Sequence, residues 1–383
     1  MTAPNRNAVV DTLRTAALIG ICVVNLPYMG LAPAQTLTWP DSAPDQIAVL
    51  VTAVFFEAKF FVLFSFLFGW GIEIQQRAAQ HAGANAGRRY RRRMVMLAVF
   101  GILHALLVFS GDILLLYSLV GSLIWFLRRA SPARLIGVAL SLIALSLLGL
   151  TLVGMVLSLA PPLAQDLTPG LSGDYLDTVQ ARIEDWPETF LFLILFQGPL
   201  AASAFAAGLA AAKLGVLDPS ATHWRRRCGT ALPILLAVGL PLNIAYALAA
   251  SGPGLGWGEI AEWLGFISIA LGAPVLTLAY ICVVRLAQDR LKLPPLLVLA
   301  GRNSLSSYVL QGVLAGFIFG GYGLGLFGQM SQLGLYPLSI AVALVSMVLT
   351  GLYARVSGRG PLETLLRRVT HAPSHQHTLG AQS

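Results

Sequence analysis

A histidine and an aspartate lie eight residues apart inside the apolar part of this 383-residue chain. Ionisable groups at membrane depth are costly, so they persist mainly where they pair, conduct or catalyse. An imidazole can act as a base near neutral pH, and a carboxylate can orient it or stabilise its cation. We therefore take His104 and Asp112 as the candidate catalytic residues. For His104, a satisfied hydrogen bond to a neighbouring helix is the alternative interpretation.

The chain between these two residues must bend if their side chains are to meet. Residues 110–112 predict a tight hairpin between two short helices. In ideal helices, a separation of eight residues across a turn leaves a vertical offset of about 8 to 10 Å. Contact therefore requires the hairpin to fold inward.

The composition indicates that a membrane surrounds these residues, since 56% of the chain is hydrophobic and only 11% is charged. Ten segments approach the length that a helix needs to cross ~30 Å of hydrocarbon. They are residues 13–31, 47–74, 94–109, 113–127, 135–160, 190–214, 231–250, 261–285, 295–319 and 335–353. The sequence predicts an all-α integral membrane protein with about ten transmembrane helices, which form one bundle over residues 1–356.

The connections between these segments alternate in charge, which predicts the orientation through the positive-inside rule. Basic connections include residues 88–93, 225–227 and 285–292, whereas acidic residues concentrate in 41–45, 174–188 and 259–262. Both termini are therefore expected to face the cytoplasm. The net charge of +8 follows largely from this topology, so nucleic-acid binding is excluded as a function class.

Polar residues recur along the predicted first and ninth spans. Asp11, Arg14 and Asn25 share one face of the first helix. On the ninth span a stripe of polar residues, which are Ser304, Ser307, Tyr308 and Gln311, follows Arg302 and Asn303. Such faces can line a substrate tunnel. Interhelical pairs and hydrogen bonds are the alternative for both.

The second predicted span carries Glu57 and Lys59. Residues two positions apart on a helix point about 200° away from each other, so we expect Glu57 and Lys59 to meet different neighbours. A structural ion pair with another helix is the alternative to a role in the site.

Two further segments are predicted to form surface helices. Residues 174–186 have the spacing of a short amphipathic helix on the outer surface, either a lid or a simple anchor. Residues 357–383 predict a cytoplasmic amphipathic helix followed by a disordered tail. The three cysteines, Cys22, Cys228 and Cys282, lack CxxC spacing, so no metal site or disulfide framework is indicated.

Short motifs along nearly the whole chain resemble those of the YeiB-like family, domain of unknown function 418. They are 11–25, DTLRTAALIGICVVN; 64–71, FSFLFGWG, with Gln75; 90–93, YRRR; His104 with 111–114, GDIL, and Tyr117; 301–308, GRNSLSSY, with Gln311; and 360–363, GPLE. This resemblance implies a multi-pass protein of the bacterial plasma (inner) membrane.

The family is in turn distantly similar to transmembrane acyltransferases, namely the acyltransferase-3 proteins and the heparan glucosaminide acetyltransferase. Acyltransferase-3 proteins have an Arg and, eleven residues on, a His in their first helix. Here Arg14 is followed at that spacing by Asn25. The resemblance therefore implies that His104 supplies the base.

The leading hypothesis is acyl transfer from cytoplasmic acyl-CoA to a hydroxyl or amine near the outer leaflet. Arg14, Asn25, Arg302 and Asn303, with Arg92 and Arg93 of the basic run 88–93, would bind the donor. Asp11, Glu57, Lys59, Ser307, Tyr308 and Gln311 would line the substrate site. The competing hypotheses are a transporter of a small polar or lipid-like solute, in which the same buried groups relay protons, and a noncatalytic membrane partner.

Overall fold

The computed structural model describes residues 7–159 and 169–371, and within these ranges the chain forms sixteen helices and no strand. The first eight are α1 (Ala8–Gly30), α2 (Pro33–Leu37), α3 (Ala43–Phe55), α4 (Lys59–His81), α5 (Ala86–Leu107), α6 (Leu114–Trp125), α7 (Pro132–Leu159) and α8 (Pro169–Ser172). The second eight are α9 (Tyr175–Leu214), α10 (Thr222–Ala250), α11 (Glu259–Ile267), α12 (Ile269–Ala287), α13 (Pro295–Arg302), α14 (Ser304–Phe319), α15 (Gln332–Ser357) and α16 (Pro361–His371).

Seven helical segments in the described ranges are long and apolar enough to cross a membrane. They are Ala8–Gly30, Ala43–His81, Pro132–Met155, Tyr175–Leu214, Thr222–Ala250, Glu259–Ala287 and Gln332–Ser357. The prediction of an all-helical, multi-pass membrane protein is thereby confirmed. Helices α6 and α14 are apolar but shorter, and the first turns of α5 carry the arginines of residues 88–93. Ten crossings and the orientation of the termini stay predictions.

The two ends of the bundle differ in charge. The basic end holds the starts of α1, α5 and α10, together with the ends of α4, α9 and α12. Contacts tie these elements together, such as the ion pair of Lys213 with Glu73 and the hydrogen bond from Asn7 to the carbonyl of Leu217. At the opposite, acidic end, the carboxylate of Asp45 accepts a hydrogen bond from the N–H of Leu333.

The predicted amphipathic helix over residues 174–186 is not a separate element. It forms the first turns of α9, a continuous 40-residue helix that contains Pro187 and Pro199. Prolines are tolerated inside membrane helices because neighbouring groups satisfy the freed backbone. These first turns pack against the end of α5, where Arg182 donates to the carbonyl of Leu107 at 2.9 Å. Part of the preceding loop, residues 160–168, lies outside the described residues.

Helices α4 and α9 cross at two glycines. A Cβ atom at Gly69 would lie 2.0 Å from the carbonyl oxygen of Phe205, and one at Gly208 would lie 1.9 Å from that of Phe66. The two backbones therefore touch, which is the packing that small residues permit in membrane bundles.

Replacing Gly69 by alanine is expected to destabilise the protein by about 1 to 3 kcal/mol, because the new methyl group meets rigid backbone. The control is Gly71→Ala two residues later, where the nearest atom outside the glycine's own helix backbone is the Gln75 amide at 3.5 Å. That change should be neutral or stabilising, since alanine favours helix by ~1 kcal/mol over glycine. Thermal unfolding in one detergent measures both, and equal midpoints would contradict the packing.

The C-terminal helix α16 docks on the start of α14. The N–H of Gly360 donates to the side chain of Asn303 at 2.8 Å, and the carboxylate of Glu363 accepts from the N–H groups of Leu305 and Ser306. A carboxylate at a helix N-terminus is favourable because the N–H groups there lack partners within the helix. Residues 372–383, the predicted disordered tail, lie outside the described residues.

Candidate functional site

His104 and Asp112 are in direct contact. The Nδ1 atom of His104 lies 2.9 Å from Oδ1 of Asp112. Both residues are buried, with 4% and 1% of their surfaces exposed. The burial strengthens their interaction, because solvent screening is weak inside the bundle.

The contact forms because the chain leaves the helical path between the two residues. Helix α5 ends at Leu107 and α6 begins at Leu114, so Asp112 lies in the turn and folds inward. Its second oxygen, Oδ2, accepts the N–H of Leu114 at 2.8 Å, which fixes the carboxylate at the start of α6. The offset expected for two ideal helices therefore does not arise.

Tyr308 of α14 completes the group by donating its hydroxyl hydrogen to Oδ1 of Asp112 at 3.1 Å. The carboxylate thus faces three donors, which are the N–H of Leu114, the hydroxyl of Tyr308 and the ring of His104. A carboxylate only accepts, so the Nδ1 of His104 must carry the proton. When the imidazole is neutral, Nε2 on the opposite side of the ring presents a lone pair.

The Nε2 atom is buried and has no hydrogen-bond partner among the described residues. It faces a narrow cavity with room for about one water molecule. The lining residues come from α1, the α5–α6 turn and α14, and include Cys22, Asn25, Met29, Phe109, Gln311 and Gly312. An unpartnered imidazole nitrogen that faces a cavity could accept a proton from a group that enters it, as a general base does.

The absence of a side chain at Gly312 keeps the space beside Nε2 of His104 open. A methyl group at this position would lie 2.8 Å from Nε2 and 2.7 Å from a methyl carbon of Val108. The role of Gly312 was not predicted from the sequence. The available signal was its position directly after Gln311, on the helix that presents the polar stripe.

The predicted donor-binding arginines gather at the basic end, well away from His104. Arg14 lies within electrostatic range of Asp11 on the same helix, and of Arg93 and Arg302 from distant parts of the chain. Arg93 and His104 are eleven residues apart on α5, or ~16 Å along the helix axis. Arg92 lies beside Arg93 on α5 and is half-buried.

Glu57 and Lys59 have different hydrogen-bond partners, Tyr246 for Glu57 and the carbonyl of Ala53 for Lys59, although both side chains also approach the ring of Tyr246. The hydroxyl of Tyr246 donates to Glu57 at 2.7 Å, and the Lys59 ammonium lies 6.0 Å from the centre of the same ring. The reason is a break between α3 and α4 at residues 56–58, where Ala58 adopts a positive φ of 63°. The 200° separation holds only for a continuous helix.

Two residues of the predicted ninth span serve the packing of the bundle. The side-chain oxygen of Asn303 accepts a hydrogen bond from the N–H of Gly360, and its side-chain amide donates one to the carbonyl of Leu299. Ser307 is fully buried and donates to the carbonyl of Ala300 at 3.3 Å. Gln311 lines the cavity at His104 and donates to the carbonyl of Leu18 at 3.2 Å.

Two curated relatives match this chain along nearly its full length, whereas the family model matches less than half of it. The family described as "Protein of unknown function (DUF418)" matches residues 211–373. "Uncharacterized protein YxaH" of Bacillus subtilis (strain 168) is 28% identical over 399 residues, which cover 96% of this chain and 94% of the relative. "Uncharacterized protein YeiB" of Escherichia coli (strain K12) is 28% identical over 389 residues, with 95% and 96% covered.

The chain is therefore similar to the YeiB-like family, whose DUF418 model matches its residues 211–373. No solved structure matches it. Several of the motifs that carry the family resemblance have defined places in this fold. GDIL at 111–114 forms the turn that brings Asp112 to His104, GPLE at 360–363 docks α16 on α14, and FSFLFGWG at 64–71 contains the glycine of the α4–α9 crossing.

Proposed function

We propose that this protein is a membrane acyltransferase that moves an acyl group from acyl-CoA to a hydroxyl or amine, with His104 as the general base. The observation that carries the proposal is the buried His104–Asp112 pair, whose Nε2 faces a cavity without a partner.

In the proposed reaction, the oxygen or nitrogen of the acceptor attacks the thioester carbonyl while Nε2 takes the acceptor's proton. The carbon–sulfur bond then breaks, and the thiolate of CoA takes the proton back from Nε2. The products are the acylated acceptor and free CoA, so His104 ends as it began. Asp112 holds the imidazole in the reactive tautomer and stabilises its cation, as in other acyl-transfer sites with a His–carboxylate pair.

The side-chain amide of Asn25, which lines the same cavity, is suited to hold the thioester carbonyl as negative charge develops on its oxygen. The donor would enter from the basic end, where Arg14, Arg93 and Arg302 attract its phosphates. We propose that about ten segments cross a bacterial plasma membrane and, from the positive-inside rule, that this end and both termini face the cytoplasm.

Binding of acetyl-CoA and longer acyl-CoA to the purified protein tests the proposal, by calorimetry and thermal shift. Saturable binding is expected for the wild type and for His104→Ala, whereas Arg14→Ala should bind more weakly. That pattern would show that Arg14 contributes to donor binding, whereas His104 does not and is free to act as the base. If no acyl-CoA binds, the proposal is wrong.

Gly312→Ala is expected to lower the acyl-transfer rate by roughly 10-fold or more, because its methyl group crowds Nε2. The imidazole cannot easily retreat, since its 2.9 Å contact with Asp112 holds the other side of the ring. The control is Gly137→Ala on α7, where the added carbon meets nothing within 4 Å. Initial rates with radiolabelled acetyl-CoA measure the effect, and a Gly312→Ala rate equal to wild type would contradict the assigned position of the base.

Transport is a second candidate, and the group formed by half-buried Glu57 with buried Lys59 and Tyr246 favours it. Ionisable residues inside membrane helices often relay protons or bind polar solutes. Flux driven by a pH gradient in reconstituted vesicles, lost in Glu57→Gln and retained in His104→Gln, would support transport over acyl transfer.

A further inference from the structure

A second cavity lies at the basic end, between the start of α5, the end of α4 and the C-terminal helix α16. Its volume is about 330 Å³, within the range of pockets that bind small molecules. Its lining includes Arg89, Arg93, Arg359 and Arg367, with Tyr90 and Trp125 as an aromatic wall.

The cavity has an excess of positive charge. Four arginines line it, against one carboxylate among the described lining residues, that of Glu363. This carboxylate already accepts N–H groups from Leu305 at 2.9 Å and Ser306 at 3.1 Å. The Nε atom of Arg93 is buried without a hydrogen-bond partner among the described residues. The guanidinium of Arg93 lies over the ring of Phe68 at 5.4 Å, and an anion that reached its Nε from the cavity would satisfy this donor.

Membrane topology alone does not account for this arrangement. The positive-inside rule explains why arginines lie at this end, but it does not direct them into one concave space. Here they come from separate parts of the chain, since Arg89 and Arg93 belong to α5, whereas Arg359 precedes α16 and Arg367 lies on it. Guanidinium groups recognise phosphate with paired hydrogen bonds, so such convergence fits a phosphate ligand.

The aromatic wall is fixed in position. The rings of Tyr90 and Trp125 stack with their centres 4.2 Å apart, and the hydroxyl of Tyr90 donates to the carbonyl of Gly121 at 3.1 Å. A rigid apolar surface beside four arginines suits a ligand in which a planar ring neighbours phosphate groups. A nucleotide has this composition.

We infer that this basic cavity binds the phosphates of a nucleotide and, resting on the proposed function, that the nucleotide is the end of acyl-CoA remote from its thioester. Arg89 and His104 are fifteen residues apart on α5, or ~22 Å along its axis. A donor bound at both places must have a long, extended arm between its phosphates and its reactive carbonyl. Acyl-CoA has such an arm.

Calorimetry of CoA binding to the full-length protein tests the inference, with Arg89→Gln and Arg367→Gln as the variants. Each should weaken CoA binding about 10-fold through the loss of charged hydrogen bonds. The control is Arg368→Gln, an exposed neighbour of Arg367 that does not line the cavity. Arg368→Gln should bind CoA as the wild type does. Inorganic phosphate and vesicles of phosphatidylglycerol serve as competitors.

The outcomes separate this inference from the proposed function. If CoA binding depends on Arg89 and Arg367 but no acyl group is transferred, the cavity assignment stands and the acyltransferase proposal fails. If transfer occurs while both variants bind CoA normally, the cavity assignment is overturned. It is also overturned if CoA does not bind, or if only phosphatidylglycerol vesicles bind through these arginines, which would make the cavity a lipid headgroup site.

Discussion

His104→Gln is expected to lower the rate of acyl transfer by roughly 10²- to 10⁴-fold, the usual contribution of a general base. Glutamine keeps a similar size and can retain a hydrogen bond to Asp112, but it offers no basic nitrogen at the position of Nε2. Donor binding at the basic end, ~16 Å from His104 at its nearest point on α5, should be unchanged. Initial rates with radiolabelled acetyl-CoA, together with calorimetry of CoA binding, measure both effects.

His223→Gln is the matched control for this variant. His223 is exposed on α10 at the basic end and does not line the cavity at His104. Its replacement should leave both transfer and binding unchanged. A His104→Gln protein that folds, binds CoA and transfers acyl groups at the wild-type rate would remove His104 from the mechanism.

Asp112→Asn is expected to lower the transfer rate by roughly 10³- to 10⁴-fold, because it changes the tautomer of His104. Asparagine has one acceptor oxygen where aspartate has two. If that oxygen serves Leu114, its amide group points at His104, and Nδ1 must accept a hydrogen bond. The proton then moves to Nε2, which no longer has a free lone pair. Unfolding measured in parallel should show a loss of about 1 to 3 kcal/mol from the mismatched donors.

Tyr308→Phe distinguishes the tautomer effect from a general weakening of the site. It removes one donor to Asp112 and leaves the hydrogen bond from Nδ1 in place. The rate should therefore fall by only about 10-fold or less, in line with the loss of one hydrogen bond. Equal losses in Tyr308→Phe and Asp112→Asn would show that the carboxylate acts only by packing.

Hydropathy predicted most of the helices, because the cost of unsatisfied backbone groups in lipid leaves few other structures. The breaks inside predicted spans were not predictable from hydropathy. Glu57 and Lys59 illustrate this, since the helix breaks at residues 56–58, where Ala58 has a positive φ, and both side chains come near the ring of Tyr246. Alanine gives no sequence signal for that conformation, which is held by the surrounding packing.

The chemistry of the candidate site was partly visible in the sequence. His104 and Asp112 could be recognised as candidates from their residue types and their positions within apolar segments. Their contact, however, depends on how far the turn after Leu107 folds inward. Tyr308 joins them from almost 200 residues away, and periodicity within one helix cannot predict such a partner. The basic cavity was missed for the same reason, because Arg89 and Arg367 meet only after α16 docks.

The most direct test of the central claim is the stoichiometry of acyl transfer by the purified protein in vesicles that contain bacterial membrane lipids and glycans. Labelled acetyl-CoA is supplied at the basic end, and both transferred label and released CoA thiol are counted. We predict one thiol released for each acyl group transferred by the wild type, and neither event in His104→Gln. Absence of both events in a wild-type protein that drives solute flux would contradict the account, as would equal transfer by wild type and His104→Gln.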